Sequence, residues 1–268
     1  MELSIEEIRK LQLEALLYIK DICKKYDIKF FLTGGTLLGA IKYKGYIPWD
    51  DDIDIGLLRD DYKRLIDILI KQENDTYKVL SIYNCKDYYY PFAKLVNKKT
   101  RLVEGGKDIK DLGVYIDIFY LADVPDDFEK YYRSFHIIRN LTDKRMRIKS
   151  NAQNSNVRFK RIKDAIYGVV DVISLPLGYN FWAKLLDRRI NSYKAENTTF
   201  VAPVYGGNKV FKLRKDKVSD LVEAIFENNT FYISRNYDEY LTRVYGNYME
   251  DIPDERKKHP HQSQAFWR

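Results

Sequence analysis

No run in this 268-residue sequence stays apolar for the roughly 18–20 residues that a helix needs to cross a bilayer. The best attempt, Ala165 to Leu177, is interrupted by Asp171 and Pro176. The opening MELSIEEIRK places acids where a secretory signal carries a basic segment and an apolar core. Both absences lead to the expectation of a cytoplasmic chain. Cysteine is scarce as well. Cys23 and Cys85 lie far apart with no CxxC spacing, which argues against a disulfide scaffold or a zinc site. Internal repeats, low-complexity runs and long Gly/Ser/Pro linkers are missing too, so solenoids and tethered modules are excluded. What remains is 45% hydrophobic and 32% charged, a globular composition with enough chain for one large domain or a core plus a smaller one.

The net charge of +7 is concentrated rather than spread. Residues 128–163 hold 11 Lys/Arg against 2 Asp/Glu, a local +9, which leaves the rest of the chain at −2. Such a segment faces nucleic acid, an anionic membrane or a phosphorylated substrate, or is simply a solvated helix face. Tyrosine, at 23 residues, follows a general drift toward Lys, Ile, Asn and Tyr and needs no function.

Apolar residues at 3-to-4 spacing from Ile5 to Tyr26 predict an amphipathic helix, with Ser4 and Glu7 as its capping box. Ile28 to Leu32 predicts a short strand running into Thr33-Gly34-Gly35-Thr36 and a helix to about Tyr43. A strand over 49–58, a helix over 60–72 and strands over 77–83, 92–96 and 114–120 follow. Beyond Asp126 the pattern turns mostly helical, with helices expected over 127–149, 158–174, 180–195 and 237–248, and a loop over 150–156. The fold class is therefore α+β: a mixed-sheet core over 1–125 and a mainly helical part over 126–268, separated by a soft boundary without a linker.

The sharpest motif is WDDDIDIG, Trp49 to Gly56. On a strand Asp52 and Asp54 share one face while Ile53 and Ile55 take the other, toward the core. Two carboxylates about 7 Å apart on one face repel. A divalent cation such as Mg²⁺ or Mn²⁺ removes that cost; the bland rival is a solvated acidic turn. Asp117 stands within the otherwise apolar and aromatic GVYIDIF, residues 113–119, where a lone buried acid is expensive unless paired or metal-bound. Asp52, Asp54 and Asp117 would then clamp one or two cations from adjacent strands. Gly34-Gly35 at a strand-to-helix junction lets backbone N–H groups approach a phosphate at a helix N-terminus. Phosphate cradle first, carboxylate pair on the next strand: that order suggests metal-assisted transfer of a phosphoryl group from a nucleotide-type donor.

Residues 31–62, FLTGGTLLGAIKYKGYIPWDDDIDIGLLRDDY, resemble the signature of the LicD family of phosphotransferases, related to the fukutin group. PFAKL (91–95), YIDIF (115–119), Tyr205-Gly-Gly207 and YDEYLTRVYGNYM (237–249) are similar to further family segments in the family's order, with Asn247 where the family often has Asp. The resemblance implies a nucleotidyltransferase-like fold. It also implies transfer of phosphocholine, or a similar phospho-alcohol, from a CDP-linked donor such as CDP-choline to a hydroxyl of a cell-surface glycan or its lipid-linked precursor. Capsule, teichoic acid and lipopolysaccharide are the glycans in view.

Carried onto this sequence, Asp52 and Asp54 hold the metal against the donor diphosphate, and Asp117 completes the site or accepts the proton of the attacking hydroxyl. Gly34, Gly35 and Thr36 cradle phosphate oxygens. Lys94 neutralises transferring charge, unless it is a snorkelling edge-strand lysine. Arg59 binds a phosphate or pairs with Asp60 or Asp61. Trp49, Tyr43 and Tyr46 are the expected aromatic faces for a trimethylammonium group, and His259 is a candidate general base. The +9 segment would rest on anionic lipid at the inner membrane face. Two rivals stand beside this reading. One is nucleotidyl transfer releasing pyrophosphate. The other is nucleic-acid binding by the basic helices, which leaves three strand-borne aspartates unexplained; no nucleic-acid partner is expected.

Overall fold

The computed structural model describes residues 1–104, 107–108, 111–150, 158–193, 198–203, 211–251 and 263–268. Its elements run α1 (Ile5–Lys25), β1 (Phe30–Leu32), α2 (Gly34–Lys42), β2 (Asp54–Leu58), α3 (Arg59–Lys71), β3 (Tyr77–Leu80), β4 (Ala93–Asn97), β5 (Thr100–Glu104), β6 (Lys107–Asp108) and β7 (Tyr115–Val124). Then come α4 (Phe128–Arg133), α5 (His136–Ser150), α6 (Arg158–Ile173), a 3₁₀ turn (Leu175–Leu177), α7 (Phe181–Ile190), β8 (Phe200–Pro203) and β9 (Leu213–Arg214). The chain finishes with α8 (Lys215–Ser219), β10 (Leu221–Phe226), β11 (Asn229–Ser234), α9 (Tyr237–Tyr245) and β12 (Ser263–Trp267). The class is α+β, as the patterning predicts.

The main sheet has the order β1-β2-β7-β4-β3. Among the described residues only β2 and β7 run parallel, and the other pairings of this sheet are antiparallel. β7 is the organising strand. Its first residues, Tyr115 to Ile118, pair with β4, and its last, Leu121 to Val124, pair with β8, which carries β9. Segments from both sides of residue 125 thus build one sheet. The core lies where α1 and α3 cover the isoleucine face: Leu16, Ile19, Ile53, Ile55, Leu57, Leu65, Ile116 and Ile118 are fully buried.

The amphipathic face of α1 fixes its place, and both bonds of the predicted capping box form, Ser4 N–H to Glu7 Oε2 at 2.8 Å and Glu7 N–H to Ser4 Oγ at 3.2 Å. The helix expected over 127–149 is split into α4 and α5. Ser134 turns its hydroxyl back onto the Tyr131 carbonyl at 2.6 Å, and Phe135 dives into the core. The expected loop over 150–156 lies outside the described residues apart from Ser150, the last residue of α5. The sequence pattern also misses the short strands β5, β6, β8, β9 and β12 and resolves no hairpin from β10 and β11.

One polar contact ties the sheet to the later helices. Arg59, the first residue of α3, is buried and pairs with Asp187 of α7 at 2.8 Å, not with Asp60 or Asp61. Its guanidinium lies over the Tyr120 ring at 4.2 Å, and the Tyr83 and Tyr120 hydroxyls donate to the same carboxylate at 3.1 Å. Removing one member of such a pair strands the other in a dry interior. Asp187→Ala should therefore cost about 3–5 kcal/mol of folding stability, read as a lowered midpoint in urea denaturation.

Candidate active site

Three adjacent strands put three ionisable residues in one lateral row. The parallel register sets Asp54 of β2 opposite Asp117 of β7, and the antiparallel register sets Asp117 opposite Lys94 of β4. Neighbouring strands are about 4.8 Å apart, so the row is compact. Its neighbours in sequence, Ile53, Ile55, Ile116 and Ile118, are all 0% exposed on the opposite face. This alternation is what holds the acids on the other side of the sheet.

Lys94 Nζ meets Asp117 Oδ1 at 2.6 Å. The lysine is 3% exposed on an interior strand, which rules out a snorkelling edge residue. Its ammonium is boxed by the Tyr115 ring at 3.5 Å, Tyr90 at 4.9 Å and Phe92 at 5.3 Å. Asp54 fares differently. Burial pushes its carboxyl well above the usual range, the charges of Asp52, Asp117 and Asp50 push further, and Lys94 only partly offsets them. The row is short of positive charge.

The Gly-Gly turn is shaped by these acids. Gly34 has φ +56, and a Cβ there would sit 2.3 Å from Asp54 Oδ2; at Gly35 it would sit 2.6 Å from Asp50 Oδ2. Glycine lets the first turn of α2 pack against two carboxylates, where the helix N-terminus favours negative charge. Thr36, expected among the phosphate contacts, is 3% exposed, and its hydroxyl accepts the Asp54 N–H at 2.7 Å. Its side chain fastens β2 to α2. The acidic stretch before β2 is braced from α1: Arg9 donates to the carbonyls of Ile47, Pro48 and Asp50, and Gln12 donates to that of Asp51. Asp52 is half-buried on this stretch, ahead of β2 rather than within it.

Beside Gly34 and Asp54 opens a cavity of about 450 Å³. Phe119 and Phe31 line its sheet side, and α9 supplies Tyr237, Tyr240 and Tyr245. The Tyr240 hydroxyl takes a hydrogen bond from Thr33 Oγ1 at 3.2 Å, which ties α9 to the start of α2. Desolvation of the Tyr245 hydroxyl, then the closeness of Tyr240 and of Asp54, Asp50 and Asp52, push its ionisation upward, although 44% of the residue stays exposed.

The expected aromatics lie elsewhere. Tyr46 is buried, with its hydroxyl on Gln12 Oε1 and the Arg9 carbonyl, and Trp49 packs edge-on against Tyr43 at 6.2 Å. None of the three lines the cavity. Tyr237, Tyr240, Val244 and Tyr245 do, and their helical spacing within the YDEYLTRVY segment was the available signal. Arg59 is held in its buried pair with Asp187. His259 and the Tyr205-Gly-Gly207 segment lie outside the described residues. Among the described residues no three His, Cys, Asp or Glu side chains close around a point as a ready metal cage.

Residues 27–128 match the family model described as LicD/FKTN/FKRP, nucleotidyltransferase domain, a span that includes the glycine turn and the whole acidic row. Over 272 aligned residues, 99% of this chain and 98% of the relative, the sequence is 29% identical to lipopolysaccharide cholinephosphotransferase LicD of Haemophilus influenzae. A 48-residue stretch, 18% of this chain and 10% of the relative, is 35% identical to ribitol 5-phosphate transferase FKRP of Homo sapiens. A third similarity, 42% over 59 residues and 22% of each chain, is to the uncharacterized protein RP689 of Rickettsia prowazekii.

Crowding at Asp54 makes a signed prediction. Its native carboxyl keeps its proton to higher pH than the ordinary value of about 4 in the unfolded chain. The native state is therefore increasingly disfavoured as pH rises from that value through the raised one. Asp54→Asn removes the repulsion at nearly constant shape. In chelator-treated buffer it should raise Tm at pH 8, by about 2–4 °C per kcal/mol relieved. The gain should shrink toward pH 5, measured by differential scanning fluorimetry.

Proposed function

Since the chain belongs to the LicD family, we propose that it transfers a phospho-alcohol, phosphocholine or a close relative, from a CDP-activated donor to a hydroxyl of a glycan or its lipid-linked precursor. The observation that carries this reading is the Asp54–Asp117–Lys94 row facing a glycine-lined helix start, with an aromatic cavity beside it.

Each part suits one portion of the donor. The excess of carboxylates over cations at Asp54 fits a divalent ion, and Mg²⁺ usually takes one or two carboxylates together with substrate phosphate oxygens, so a closed protein cage is not required. Asp52 and Asp54 would hold Mg²⁺ or Mn²⁺, which supplies charge neutralisation for the diphosphate. Lys94 is preorganised by Asp117 and its aromatic box, so it offers a fixed positive charge without reorganising during the reaction. The cavity suits the alcohol end: a trimethylammonium group has no hydrogen bonds to offer and is attracted to aromatic faces. Tyr240 and Tyr245 provide such faces close to the acids.

In the reaction, the acceptor hydroxyl oxygen attacks the phosphorus bearing the alcohol, the bond to the CMP oxygen breaks, and CMP departs. The hydroxyl proton passes to a carboxylate of the cluster, with Asp117 the one that Lys94 orients.

Purified protein given a panel of CDP-alcohols, Mg²⁺ and a glycan acceptor should release CMP; release of pyrophosphate instead would replace this reading with nucleotidyl transfer. Asp54→Ala should lower kcat on the order of 10³-fold. Tyr245→Leu should raise KM for CDP-choline by up to about 30-fold, the value of a desolvated cation–π contact, and should affect a donor without a quaternary ammonium far less. Equal losses for both donors would remove the alcohol from this cavity.

A further inference from the structure

Helix α6 is amphipathic in the wrong sense for a packed helix. Its acid faces inward: Asp171 is 5% exposed and accepts from Arg145 Nε at 2.6 Å. Arg145, itself 2% exposed, also donates to the Asp171 carbonyl at 2.9 Å, to Ser174 Oγ at 2.7 Å and to the Gly178 carbonyl at 2.8 Å. This network fixes the rotation of α6 about its axis and leaves its apolar side outward. Ile166, Val169, Val172, Ile173, Leu175 and Leu177, at helical spacing and along the 3₁₀ turn, are 41–72% exposed. Contiguous apolar surface of this kind marks an interaction site.

Charge decides what the surface is for. Residues 128–163 of the sequence carry the local +9, of which Arg145 is neutralised inside the fold by Asp171, and the start of α6 reads RFKRIK. Two copies of this chain meeting through α6 would bring like-charged segments together. An anionic bilayer offers both an apolar layer and negative headgroups. The 16 residues of α6 reach about 24 Å, short of the roughly 30 Å hydrocarbon core. Among the described residues no helix is long and apolar enough to cross a membrane. We propose that α6 and the following 3₁₀ turn lie flat in the headgroup region of an anionic membrane, apolar side down, with the basic residues at the start of α6 on the lipid phosphates. This assignment does not depend on which group the enzyme transfers.

Flotation of the full-length protein with vesicles tests it. The wild type should float with phosphatidylcholine vesicles containing phosphatidylglycerol and not with phosphatidylcholine alone, and raised salt should weaken the binding. Val169→Asp with Ile173→Asp, both exposed positions, should reduce binding at least about tenfold at unchanged Tm. Lys160→Glu with Arg161→Glu should do the same on anionic vesicles. Should the aspartate pair not fold, Val169→Ser with Ile173→Ser gives the same reading. No flotation, equal flotation with neutral vesicles, or unchanged binding by the apolar-face variants would each overturn the proposal. So would a dimer seen by light scattering that these variants dissociate while vesicle binding persists.

Discussion

The molecule is organised around a repulsion. Asp54 and Asp117 are forced side by side by the parallel pairing of β2 and β7, and Lys94 offsets their charge in part from within the sheet. The isoleucines that alternate with these acids could not be moved to the acidic face without emptying the core, so the hydrophobic effect imposes the electrostatic cost. The glycine turn follows from the same constraint. With a side chain at Gly34 or Gly35, the first turn of α2 would collide with Asp54 or Asp50. Concentrated, incompletely balanced charge in a partly buried cleft is a common feature of functional sites.

The two ends of the chain contribute differently to that cleft. The N-terminal half supplies the row of charges and the loop braced by Arg9 and Gln12. The C-terminal helix α9 supplies aromatic surface and closes on the glycine turn through the Tyr240 hydroxyl. Lys94 and Arg59 show how one residue class serves opposite ends. Both cations are buried and both lie near aromatic rings, yet Lys94 belongs to the acidic row, whereas Arg59 is consumed in joining α3 to α7.

Much of the site was legible in the sequence because its signals are local. The alternation of Ile53, Asp54 and Ile55 fixes which side chains share a face, although Asp52, expected on the same strand, lies ahead of it, and the Ser4–Glu7 box marks where α1 starts. The glycine turn followed by the acidic strand is a pattern confined to a few dozen residues. The parts that escaped depend on distant pairs. The partner of Arg59 is Asp187, 128 residues away, while Asp60 and Asp61 stand next to it in sequence. Strands as short as β8 and β9 are defined by the edge they join rather than by their own composition.

By itself, the sequence determined the alternation of acid and isoleucine, the placement of the glycines, the α+β order of the first half and the location of the basic segment, since each is a property of neighbouring residues. Only the tertiary structure decided that Tyr240 and Tyr245, rather than Trp49, Tyr43 and Tyr46, stand at the cavity, and that α6 turns its apolar side outward. The physical reason is the same in both cases. Which way a helix faces depends on what its polar groups bond to across the fold, Tyr240 on the α2 turn and Asp171 on Arg145, and those partners are remote in the chain.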